Sequence, residues 1–116
     1  MSKAKQKGTS AETALVKYLQ TVGFADARRV ALAGSQDKGD VETRGLIWEV
    51  KNQKSYKIPA WLDETGEEKT NAKADFGILA IKPVGVGLGK TENWWAVLPI
   101  GELVRLLHLA GFGDSK

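Results

Sequence analysis

Apolar residues return every three or four positions from Ala11 to Val22. Ala11, Ala14, Leu15, Tyr18, Leu19 and Val22 mark one face of a helix that starts at Thr9-Ser10-Ala11-Glu12 and stops at Gly23. The pattern then shortens. Phe24 to Leu32 reads as loop and strand, with Val30 and Leu32 apolar, and residues 33–39 read as a turn-rich loop. Asp40 to Thr43 is a short strand, Arg44-Gly45 a tight hairpin turn, and Leu46 to Lys51 the returning strand. Pro59 suits the first turn of a second helix, running through Trp61 and Leu62 towards Ala74, with Gly66 weakening its middle enough to allow two pieces. Phe76 to Ile81 is apolar throughout, as expected of a central strand buried on both faces. Val84 to Lys90 reads as a flexible hairpin connection, Asn93 to Leu98 as a strand, and Pro99 to Leu109 as an amphipathic helix ended by Gly111. The order α-β-β-β-α-β-β-α predicts an α/β (α+β) domain with helices on a small mixed sheet.

Composition narrows the class. A chain of 116 residues forms one domain with a single modest core. No apolar run reaches the roughly 18 residues of a membrane span, and no apolar secretory segment follows the basic start, so a cytoplasmic protein is expected. Residues 1–8 read as a flexible basic arm and residues 112–116 as a tail. Cysteine is absent, which excludes disulfides and thiolate metal sites. The net charge of +3 is mild. Its clustering is more informative: Lys3, Lys5 and Lys7 at the start, Arg28 with Arg29, then Lys51, Lys54 and Lys57. Such clusters grip a phosphate backbone, or simply keep a surface solvated.

One strand combines core and chemistry. Side chains alternate along Leu46 to Lys51, so Leu46, Trp48 and Val50 share one face and Ile47, Glu49 and Lys51 the other. Across the hairpin, Asp40 falls near Glu49. Adjacent carboxylates repel unless a positive charge lies between them, and hard oxygen ligands suit Mg²⁺ or Mn²⁺. An ammonium at Lys51, beside such an ion, is placed to hold a water or to stabilise charge on a phosphate. The same Asp-x8-Glu-x-Lys spacing also arises as a cross-strand salt bridge on a solvated sheet face.

Gly39-Asp40 followed by Glu49-Val50-Lys51 resembles the core motif of the PD-(D/E)XK nucleases. Lys7-Gly8, Glu12 in the first helix with Leu15-Val16 and Gly23-Phe24, and Gly34-Ser35 ahead of Asp40 extend the resemblance to archaeal-type Holliday junction resolvases and their phage relatives, over roughly residues 7 to 82. The resemblance implies a restriction-endonuclease-like core. It implies a Mg²⁺- or Mn²⁺-dependent endodeoxyribonuclease that cleaves branched DNA as a homodimer, without a small-molecule cofactor. It makes Asp40, Glu49 and the Val50 carbonyl metal ligands, with Glu12 reaching the metal directly or through water, Lys51 the catalytic lysine, and Ser35 a residue that contacts the scissile phosphate or helps position the site. Gly39 stands where the superfamily pattern has proline, and Gln53 follows Lys51 as in many members. A nickase or restriction-type nuclease, or a DNA-binding module without catalysis, fits the same pattern.

Other residues carry two readings each. Thr9 and Glu12 have the spacing of a capping box, which would employ the glutamate at the helix start. Glu42 shares a face with Asp40 as a solvated residue or substitute ligand, and Asp37 is a turn former. Lys5, Lys7, Arg28, Arg29, Lys38, Lys54 and Lys57 are the candidate DNA contacts. Trp94 and Trp95 must point to opposite faces, one into the core and one outward. Trp61 is core or supports an interface, and His108 is structural.

Overall fold

A computed structural model describes residues 3–31 and 37–114. The first helix, α1, spans Lys3–Thr21, well before the start expected at Thr9. The segment anticipated as a flexible arm is therefore helical from Lys3, and Thr9-Ser10-Ala11-Glu12 lies inside the helix. Ala11, Leu15 and Leu19 recur every fourth residue and are buried against the sheet. Gly23, with φ 107°, ends the helix, and the Phe24 N–H closes back on the Leu19 carbonyl at 2.9 Å.

Five strands form one mixed sheet in chain order: β1 (Arg28–Arg29), β2 (Val41–Thr43), β3 (Leu46–Lys51), β4 (Phe76–Ile81) and β5 (Trp95–Val97). The β2–β3 hairpin turns at Arg44-Gly45 as anticipated, with positive φ at Gly45 alone of the two. The β1 strand is only the exposed Arg28–Arg29 pair, and Leu32 lies outside the described residues.

Strand β3 runs parallel to β4, so the chain must cross over between them. Helix α2 (Ile58–Ala72) makes that crossing as a single piece. Gly66 does not divide it, because it lies on the exposed side while Trp61, Thr65 and Glu68 are buried on the other. All of β4 is buried, as its apolar run predicts.

The two helices cover opposite sheet faces. Helix α1 packs Ala11, Leu15 and Leu19 on Val41, Val50 and Ala80, with Trp48 and Trp94 at the margin. Helix α2 sets Trp61 on Leu79 and Ile81. It also crosses Gly77 so closely that an added Cβ would come within 3.1 Å of the Lys69 Cβ and 3.2 Å of the Thr65 carbonyl oxygen. A short 3-10 helix, η1 (Leu88–Asn93), occupies part of the segment expected as open connection and strand. The last helix, α3, spans Ile100–Leu109. No helix among the described residues is long and apolar enough to cross a membrane.

A candidate metal centre at the end of the β2–β3 hairpin

Register brings the first pair together. Val41 pairs with Trp48, and the Asp40 N–H donates to the Trp48 carbonyl at 3.0 Å, which continues the ladder one step and sets Asp40 against Glu49. The Val50 N–H donates to Asp40 Oδ2 at 2.8 Å and fixes that carboxylate. Glu49 is 3% exposed. Burial, a carboxyl–carboxyl hydrogen bond with Asp40 and the Asp40 charge push its pKa up to about 11. Such contact is stable only with a proton or a cation between the two groups.

Lys51 follows Glu49 on the same face. Its Nζ lies 3.4 Å from Glu49 Oε2 and 3.0 Å from Glu64 Oε1, and 5.6 Å from the centre of the Trp61 ring. Burial works against its charge, but the bond to Glu64 and the Glu49 and Glu64 charges outweigh it, so its pKa is raised. Lys51 is thus held as an ammonium and cannot act as a general base. Trp61, buried beneath it, is core rather than interface.

Glu12 reaches the same cleft from the middle of α1, which removes the capping-box reading. Its carboxylate accepts from Arg29 Nε at 3.0 Å. Burial first and the Asp40 charge second raise its pKa, against the opposing pull of Arg29. The cleft measures about 520 Å³ and also exposes Lys7, Lys54, Asn52 and Gln53 at its walls.

The remaining candidates divide. Arg28 is paired with Glu42 at 2.6 Å, so Glu42 serves an ion pair on the outer strands and takes no part in the carboxylate cluster. Arg29 belongs to Glu12. Lys5, Lys38 and Lys57 are exposed. Ser35 lies outside the described residues. Trp94 is half-buried against the core while Trp95 faces outward, 49% exposed and edge-on to Tyr56 at 5.9 Å. His108 is exposed on α3, apart from the cleft.

Two residues escaped the sequence reading. Glu64 and Glu68 of α2 project towards β3, and with Asp37 they form the three-carboxylate group found among the described residues, with ligand atoms all within 4.8 Å of one another. Asp37 also accepts from the Gly39 N–H at 3.0 Å, as expected of a turn former. The signal for Glu68 was present. Trp61, Thr65 and Glu68 share helical spacing, so a buried stripe that begins with tryptophan ends on a carboxylate.

Compared with protein-family models, with curated proteins and with solved structures, the chain finds no match in any of the three.

Proposed function

We propose that this protein is a divalent-cation-dependent endodeoxyribonuclease acting on branched DNA, with four-way junctions as its best substrate. The observation that carries the reading is the meeting of Asp40 and Glu49 across the β2–β3 hairpin, with the Lys51 ammonium beside them in an open cleft. The carboxylate contact and the raised pKa of Glu49 fit a bound Mg²⁺ or Mn²⁺. Asp40, Glu49 and the Val50 carbonyl would hold that ion, with Glu12 on the cleft wall next to Asp40. When bound, it supplies Lewis acidity towards a phosphate oxygen and a water of lowered pKa.

The chain's own residues supply the rest. The Val50 N–H keeps Asp40 from rotating. Lys51, fixed in charge, donates to a phosphate oxygen or to the attacking water as negative charge grows. Lys7 and Lys54 flank the cleft and bind the backbone on either side of the cut. Contacts of this kind select DNA by shape rather than by base sequence.

A four-way junction needs two matched nicks, and a two-fold dimer presents two sites in that symmetry. Helix α3 supports such a dimer. Glu102 pairs with Lys69 of α2, and Arg105 lies over the Phe76 ring at 4.4 Å, so the polar stripe of α3 faces the body. Ile100, Leu103, Val104, Leu107 and Leu109 are left exposed. An apolar helix face turned outward fits the same face of a second copy.

The test is cleavage of a synthetic four-way junction beside linear duplex and flap DNA, with Mg²⁺ or with chelator. Paired symmetric nicks are expected in the junction, abolished by chelator and by Glu49→Ala. Lys51→Ala should lower the rate by at least about 100-fold while junction binding persists. Junction binding without cleavage in either Mg²⁺ or Mn²⁺ would leave a DNA-binding module instead.

A further inference from the structure

Glu68 poses a problem that the Asp40–Glu49 site does not solve. It is 1% exposed, and neither carboxylate oxygen accepts from an N–H or hydroxyl donor. An ionised carboxylate buried without a partner costs several kcal/mol, on the order of the whole stability of a small domain. The nearby ammonium groups are already engaged: Lys69 with Glu102, and Lys51 with Glu49 and Glu64. What faces Glu68 is instead more negative charge, from Asp37 and Glu64.

We propose that Asp37, Glu64 and Glu68 form a second divalent-cation site, next to the one assigned to Asp40 and Glu49 and lining the same cleft through Asp37 and Glu64. Around a Mg²⁺ or Mn²⁺ with oxygens at about 2.1 Å, ligands sit about 3 Å apart when adjacent and about 4.2 Å apart when opposite. The three carboxylates already offer one oxygen each within 4.8 Å of the others, so side-chain shifts of up to about 2 Å bring them to these spacings, with waters completing the shell. Each ligand is held from outside. The Asp37 backbone is tied to α2 by Asn71 Nδ2, which donates to its carbonyl at 2.9 Å. Glu64 is held by Lys51, whose Nζ lies 3.0 Å from its Oε1. Glu68 is locked by its burial in the stripe that Trp61 and Thr65 begin. The donor set is all oxygen, which selects Mg²⁺, Mn²⁺ or Ca²⁺ over softer metals.

This inference stands on Glu68 and its neighbours and does not depend on the nuclease reading. The test counts Mn²⁺ bound per chain by electron paramagnetic resonance and calorimetry, without DNA, for the wild type, Glu68→Gln, Asp37→Asn and Glu49→Gln. Wild type is expected to bind two ions. Glu68→Gln should bind one and keep its cooperative melt. Asp37→Asn, altered at an exposed residue, should weaken the same ion by about tenfold or more. Glu49→Gln should lose the other ion and retain this one. If wild type binds one ion that Glu49→Gln abolishes and Glu68→Gln keeps, the second site is overturned and the nuclease reading survives. If the single ion is lost in Glu68→Gln and kept in Glu49→Gln, the second site stands and the nuclease site falls. Glu68→Gln with the wild-type count and affinity overturns the proposal, with a proton shared with Asp37 as the remaining remedy for the buried acid.

Discussion

Glu49 and Glu68 make stability depend on pH in an unusual direction. Glu49 faces Asp40, Glu64, Glu68 and Lys51, and its pKa stands at about 11. Glu68 faces Asp37, Glu64 and Asp40, and burial with the Asp37 contact raises its pKa to about 9. Both groups have an ordinary value of 4.5 in the unfolded chain. Above that value the folded state binds more protons than the unfolded one. Their contribution is therefore complete below pH 4.5 and is lost as pH rises through neutral towards the folded values. Each extra bound proton tilts stability by at most about 1.4 kcal/mol per pH unit. Asp26 and Glu102 are shifted downward, so they titrate below this window and do not oppose it. In chelator, denaturant melts should show stability falling from pH 5 to pH 9. Saturating Mg²⁺ should flatten that fall, because a cation replaces the protons. A rise in chelator over the same range would contradict the assignment. At this scale the chain was half legible. Asp40, Glu49 and Lys51 follow from strand alternation across one short turn. Glu64 and Glu68 do not, because their neighbours come from a crossover that brings distant residues together. For Glu12 the capping-box alternative falls away because its helix begins six residues before Thr9, at Lys3.

Two glycines of the α2–β4 layer are predicted to behave in opposite ways. Gly77 lets α2 lie on the sheet, so Gly77→Ala must push the helix off Thr65 and Lys69 and should cost about 1–3 kcal/mol. Gly66 sits on the exposed side of α2 with nothing within 4 Å of an added Cβ, and Gly66→Ala should stabilise by up to about 1 kcal/mol. Urea melts of the two variants decide both. Equal effects would show that α2 does not rest on Gly77 as described. The strands were easy to read where burial is two-sided, as in Phe76–Ile81, or alternating, as in Leu46–Lys51. The glycine-rich stretch before Trp94 was harder. Its residues curl into η1 with Thr91 buried, which no apolar period announces.

For the molecule as a whole, the outward apolar face of α3 is where the proposed dimer can be tested. Sedimentation should give a dimer, and Leu103→Glu with Leu107→Glu should give a folded monomer with an unchanged melt at low protein concentration. A wild-type monomer at tens of micromolar would sink the α3 interface. The mixed sheet and the helical layers were predictable from the order of periods along the chain. The direction in which α3 faces was not, because an amphipathic pattern states that one side is apolar without stating what covers it.

The parallel pairing of β3 with β4 also sets when the carboxylates meet. Asp40, Glu49 and Lys51 belong to a local hairpin that closes over a few residues. Glu64 and Glu68 join them only after α2 has crossed and β4 has docked, a non-local event that comes late. The repulsion that Glu64 and Glu68 add is thus confined to the final native state, and so would be the stabilisation brought by an ion held at Asp37, Glu64 and Glu68. A divalent cation at the proposed site would accordingly act as a latch, slowing unfolding far more than it speeds folding.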